Sequence, residues 1–206
     1  MYYMLMVLVG IIAGNILNIY VSRKALSGDI LEDYKSVFFK DASYYLMQIF
    51  IVAMYLFIYY KAANFNELVK FCLYSVFMLA VAMEDFSSKQ IPNMLIAAFM
   101  IIGLIINLFI QTTDAFIGML IMLLLVTGVF CVIYKTSRGG IGAGDVKLLA
   151  CSALFLEPGD LLTTIIIAFL FTFLAGIILI VIRHMDKKVL LPFSPFILAG
   201  FLVSIF

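Results

Sequence analysis

Long apolar runs separated by short polar breaks dominate this 206-residue chain. Runs cover residues 2–21, 44–60, 68–85, 93–108, 115–134, 161–182 and 190–206, and a shorter one leads from Asp145 to Leu156. A helix needs about 20 apolar residues to cross a hydrocarbon core roughly 30 Å thick. The pattern therefore predicts an all-α polytopic membrane protein with about eight transmembrane helices, forming a single domain over residues 1–206. Pro92 falls in the first turn of the fourth helix, where its missing N–H costs nothing. Glu157-Pro158-Gly159 reads as a turn, and Pro192 with Pro195 should delay the last helix until about Phe196.

The one polar stretch of any length is residues 22–43, which holds Arg23, Lys24, Asp29, Glu32, Asp33, Lys35, Lys40 and Asp41. Ile30, Leu31, Tyr34, Val37 and Phe38 recur there at near-helical spacing, which predicts a short amphipathic segment on the cytoplasmic surface after the first helix. Placing the N-terminus outside puts 11 of the 13 basic residues inside, leaving Lys61 and Lys70 outside, as the positive-inside rule requires. The N-terminus has neither a basic n-region nor a small-residue cleavage site, so it reads as a retained helix.

Composition narrows the class further. With 66% hydrophobic residues, 12% charged residues and a mean hydropathy of +1.22, the chain is excluded from the soluble globular class. A net charge of +1 offers nothing to nucleic acid. Cys72, Cys131 and Cys151 sit singly inside apolar runs with no CxxC pair, so neither a disulfide frame nor a metal site is expected.

Two stretches carry candidate chemistry. The first is Arg138-Gly139-Gly140-Ile141-Gly142-Ala143-Gly144-Asp145-Val146-Lys147, four glycines in six residues ending on a carboxylate that re-enters apolar sequence. An acid in a membrane helix costs roughly 2 to 3 kcal/mol to insert and is usually functional. Alone, the run is equally a turn whose Asp145 caps the next helix. The second stretch, Glu84-Asp85-Phe86-Ser87-Ser88-Lys89-Gln90-Ile91-Pro92-Asn93, also ends an apolar run on acids. On the predicted topology Asp85 and Asp145 both come out at cytoplasmic helix ends.

Taken together, Asp85 with Ile91-Pro92-Asn93 and the later Gly142-Ala143-Gly144-Asp145-Val146-Lys147 resemble the paired motifs of type IV prepilin peptidases, membrane aspartyl proteases of the GxGD kind. Gly10-x3-Gly14-Asn15-Ile16-Leu17-Asn18 and Arg23 are similar to that family's opening motif, with Asn15 in place of the usual Ser. Leu191-Pro192-Phe193-Ser194-Pro195-Phe196 resembles its PFGPF-like segment, with Ser194 in place of Gly. Read from the residues alone, Gly10, Gly14, Asn15 and Asn18 equally describe a face for close helix packing.

The resemblance implies a leader peptidase of the prokaryotic cytoplasmic membrane that cuts the basic leader from type IV prepilin or pseudopilin precursors. Asp85 and Asp145 would be catalytic, supported by Gly142, Gly144, Lys147, Pro92 and Asn93. Asp85 is preferred to Glu84 because its spacing to Pro92-Asn93 fits the motif, and Glu84 is left as an interfacial acid. Longer relatives carry two zinc-binding CxxC pairs in the loop that is residues 22–43 here. This chain has none, so no metal is expected, and S-adenosylmethionine would matter only if N-methyltransferase activity were retained. The expected partners are prepilin-like precursors and membrane lipids. Two other classes stay open on the residues: a cation-coupled transporter, since paired acids beside broken helices also line ion paths, and an assembly subunit with structural acids.

Overall fold

A computed structural model describes residues 2–25, 42–137, 140–183 and 191–206. Of the polar stretch 22–43, residues 26–41 lie outside the described residues, as does Arg138. Among those described there are eight α-helices and no strand: α1 Tyr2–Ala25, α2 Ala42–Lys61, α3 Phe65–Ser88, α4 Asn93–Ile110, α5 Thr113–Thr136, α6 Ala143–Ser152, α7 Pro158–Arg183 and α8 Ser194–Ser204. The protein is an all-helical, multi-pass type by length and apolarity: five helices have a stretch long and apolar enough to cross a membrane, Tyr44–Lys61, Phe65–Phe86, Asn93–Ile110, Thr113–Thr136 and Pro158–Val181. The apolar segments Tyr3–Ile19 and Ser194–Ser204 are shorter. At about 1.5 Å per residue, α6 is about 15 Å long, half of a hydrocarbon core.

The chain divides into two compact units, Met1–Cys72 and Leu73–Phe206. In the first, α1 packs on α2. Gly10 permits this approach, because a Cβ there would come within 3.2 Å of the Val52 backbone. The amide of Gln48 fills the space that Gly14 leaves and donates to the carbonyls of Gly10 and Ile11 at 3.4 and 3.0 Å. Tyr44 donates its hydroxyl to Oδ1 of Asn15 at 2.7 Å. The Tyr44 hydroxyl, Asn15 Oδ1 and Gln48 Nε2 thus find protein partners, as their desolvation demands, whereas Nδ2 of the buried Asn18 has no hydrogen-bond partner among the described residues.

The second unit is assembled around the C-terminal half of α3. Phe77 stacks on Phe99 of α4 with centroids 4.1 Å apart, and Tyr74 meets Phe201 of α8 edge-on at 4.8 Å. The buried Tyr74 hydroxyl donates to Ser152 Oγ at 2.9 Å, and Ser152 donates on to the Leu148 carbonyl. Asn107, fully buried on α4, donates from Nδ2 to the carbonyls of Gly103 and Leu154 at 2.7 and 2.6 Å, which ties α4 to the turn after α6. Close contacts also join α5 to α6 and α7 to α8. Outward-facing residues of α5 and α7, such as Leu124 and Phe173, are apolar and exposed, the inverse of a soluble bundle.

Two boundaries depart from the sequence reading. The turn after α6 closes at residues 153–156, and Pro158 opens α7 instead of ending a turn. Likewise α8 starts at Ser194, ahead of the expected Phe196, with Pro195 in its first turn. Both have one cause: an N–H in the first turn has no intrahelical acceptor, so proline is tolerated there.

Candidate active site

Asp85 lies near the C-terminal end of α3 and is 6% exposed. Its carbonyl accepts the N–H of Lys89 at 2.9 Å, and Lys89 takes a left-handed φ of 51° that ends the helix. The chain then runs through Gln90 and Ile91 to Pro92, the N-cap residue of α4 at φ −62° and ψ 120°. On Asp85, Oδ2 accepts two bonds from Ser194: the backbone N–H at 3.0 Å and the hydroxyl at 2.8 Å.

Asp145 is the third residue of α6. Gly142 precedes that helix in an extended conformation, and its N–H donates to Asp145 Oδ2 at 3.3 Å. The negative side chain also sits at the helix N-terminus, where the peptide dipoles favour it. Glycine matters at two points here. A Cβ on Gly142 would lie 3.0 Å from Asp145 Oδ2, and one on Gly144 would lie 3.3 Å from the side chain of Ile91. Larger residues would crowd the carboxylate or push the wall formed by Ile91 away.

Asp85 and Asp145 open on one cavity of about 680 Å³. Gly140, Ile141, Gly142, Ala143 and Gly144 form one wall, Lys89, Gln90, Ile91 and Asn93 a second, and Phe169, Thr172, Leu191 and Phe193 a third. Lys147 also lines it, donating from Nζ to Asn93 Oδ1 at 2.8 Å. Asp145 lies outside the five long apolar spans. Burial, reinforced by the charge of Asp85 and opposed by the Gly142 N–H, pushes its carboxyl up to about 6. Two acids at one cavity, one of them raised toward neutrality, can hold a single proton between them and polarise a water.

Of the sequence candidates, the cavity gathers Asp85, Asp145, Gly142, Gly144, Lys147 and Asn93. Pro92 does not line it and acts through the start of α4. Gly10, Gly14 and Asn15 belong to the first unit, with the packing described above, as does the buried Asn18, and the Arg23 side chain is outside the described residues. Glu84 is a correction: expected as an interfacial acid, it is 3% exposed and faces the protein interior. The sequence marks Ser194 only as a substituted glycine and gives no sign that it bonds to Asp85. A serine directly before the proline of a helix start signals only that free donors are present. Among the described residues no group of three or more His, Cys, Asp or Glu is placed to hold a metal.

The model of the type IV leader peptidase family matches residues 72–181, a stretch that contains both aspartates. A prepilin leader peptidase/N-methyltransferase of Pseudomonas aeruginosa is 30% identical over 131 residues, covering 61% of this chain and 45% of the relative. The matched stretch is thus less than half of that relative's length. No solved structure matches the chain.

Proposed function

The chain belongs to the type IV leader peptidase family, and from that premise we propose that it is a prepilin-type leader peptidase of the prokaryotic cytoplasmic membrane. It removes the basic leader of type IV prepilin or pseudopilin precursors at the cytoplasmic face. The observation that carries this reading is the opening of Asp85 and Asp145, 60 positions apart, on one glycine-walled cavity.

One carboxylate takes a proton from water as the water attacks the scissile carbonyl, and the other, protonated, donates to the carbonyl oxygen or leaving amine. The pair titrates as a unit and works with one proton. Gly142, extended and without a side chain just before α6, would pair with the substrate backbone, because such a residue can approach an unwound peptide closely. Lys147, tethered to Asn93, places a positive charge at the cavity and would favour the anionic member of the pair.

Co-expression with a type IV prepilin precursor tests the activity. The precursor should shorten by its leader, and an unchanged precursor beside folded, membrane-inserted protein would contradict the proposal. The pH profile tests the chemistry. With the Asp145 carboxyl at about 6, raising the pH through that value strips the shared proton. The cleavage rate should then fall toward about tenfold per further pH unit. A rate that stays flat from about pH 5 to 8 would remove the Asp145 proton from the mechanism.

Methyl transfer is proposed to be weak or absent, because residues 22–43 contain none of the cysteines of the longer relatives' loop. Incubation with labelled S-adenosylmethionine and cleaved pilin should label the pilin little or not at all, and robust labelling would contradict this.

A further inference from the structure

Ser194 lies outside the stretch matched to the family and 109 positions from Asp85, yet both of its donors reach the same atom of that side chain. Its N–H is one of the first in α8 and has no acceptor within the helix, so it is available to a carboxylate. Its hydroxyl is completely buried, where a donor without a partner is costly. Both converge on Oδ2, at 3.0 and 2.8 Å. Two bonds from one fixed residue stop the carboxylate from rotating and engage Oδ2, leaving Oδ1 as the oxygen that Ser194 does not hold. Phe193 fixes the preceding backbone: it is 8% exposed, lines the cavity and packs against Phe169 at 5.1 Å.

We propose that Ser194 is a positioning residue for leader cleavage, pinning Oδ2 of Asp85 so that Oδ1 is presented to the attacking water. The inference rests on the two-aspartate reading of the site. Its consequence is kinetic. A residue that orients the base changes the chemical step, and precursor binding is left alone.

The test uses the full chain in lipid nanodiscs with a type IV prepilin precursor as the probe. Ser194→Ala and Ser194→Gly both remove the hydroxyl and keep the N–H, so each should lower kcat about tenfold, the loss of one hydrogen bond to a charged group. KM should stay within about twofold. Ser194→Gly guards against a packing effect, because it removes Cβ as well as the hydroxyl: a packing loss would be larger for it than for Ser194→Ala, and a positioning loss would be equal in the two. A kcat within about twofold of wild type for both variants overturns the proposal. So does a loss that tracks KM or the folded fraction, which would assign Ser194 to packing. Asp85→Asn, measured alongside, separates the two claims. If it still cleaves, the two-aspartate reading fails and takes this inference with it; if it is inactive while both Ser194 variants keep kcat, only the positioning role fails.

Discussion

Asp145→Asn protein should lose leader cleavage by roughly 10²- to 10⁴-fold, the usual worth of a positioned acid or base. Asparagine preserves the shape of the side chain, and its carbonyl oxygen can still accept the Gly142 N–H that Asp145 Oδ2 now accepts at 3.3 Å. The start of α6 should therefore survive while the titratable proton does not. Asp85→Asn should behave in the same way, since an amide oxygen can take the place of Oδ2 opposite the two Ser194 donors. Folding is checked by size-exclusion profile and thermal unfolding in detergent, and cleavage by conversion of a prepilin precursor. Near-normal turnover by either folded variant would remove that aspartate from the chemistry.

The second large effect concerns stability. Gly200 of α8 sits so close to α7 that a Cβ would lie 2.5 Å from the Thr164 carbonyl oxygen and 3.2 Å from the Ala168 nitrogen. Those atoms are backbone, so no side-chain rotation relieves the clash and α8 must move away. Overpacking of this kind costs about 1 to 3 kcal/mol, occasionally more. It would also break the hydrogen bond between Thr164 Oγ1 and Ser204 Oγ, 3.0 Å long. Since α8 begins with Ser194, its displacement would shift the donors that hold Asp85. Gly200→Val should thus lower both the thermal midpoint and cleavage. Gly118→Ala and Gly128→Ala are the controls: nothing lies within 4 Å of a Cβ at either place, and both should fold normally. A wild-type midpoint for Gly200→Val would mean that α7 and α8 pack less closely than described.

The helices were legible in the sequence because membrane-crossing segments must satisfy their backbone internally and stay apolar over a fixed length. The aspartates were legible for the same reason, since an acid in such sequence is expensive and its position is informative. Helix starts at Pro158 and Ser194 were misjudged because proline restrains its own φ and the residue before it, yet fits a first turn. Local patterns could not reveal the Ser194 bonds to Asp85, which close over 109 positions. Nor could they reveal the approach at Gly200, which depends on another helix's backbone. Glu84 and Asp85 are both buried, and composition does not separate them. In the structure Asp85 lines the cavity with Asp145, while Glu84 is not among the cavity residues.

The most direct measurement is single-turnover cleavage of a prepilin precursor by four folded proteins: wild type, Asp85→Asn, Asp145→Asn and the double variant. Groups that act as a unit are lost together, so the three variants should share one residual rate far below wild type. A single variant that cleaves at close to the wild-type rate, or a double variant slower by the product of the two single losses, would contradict a paired-aspartate site.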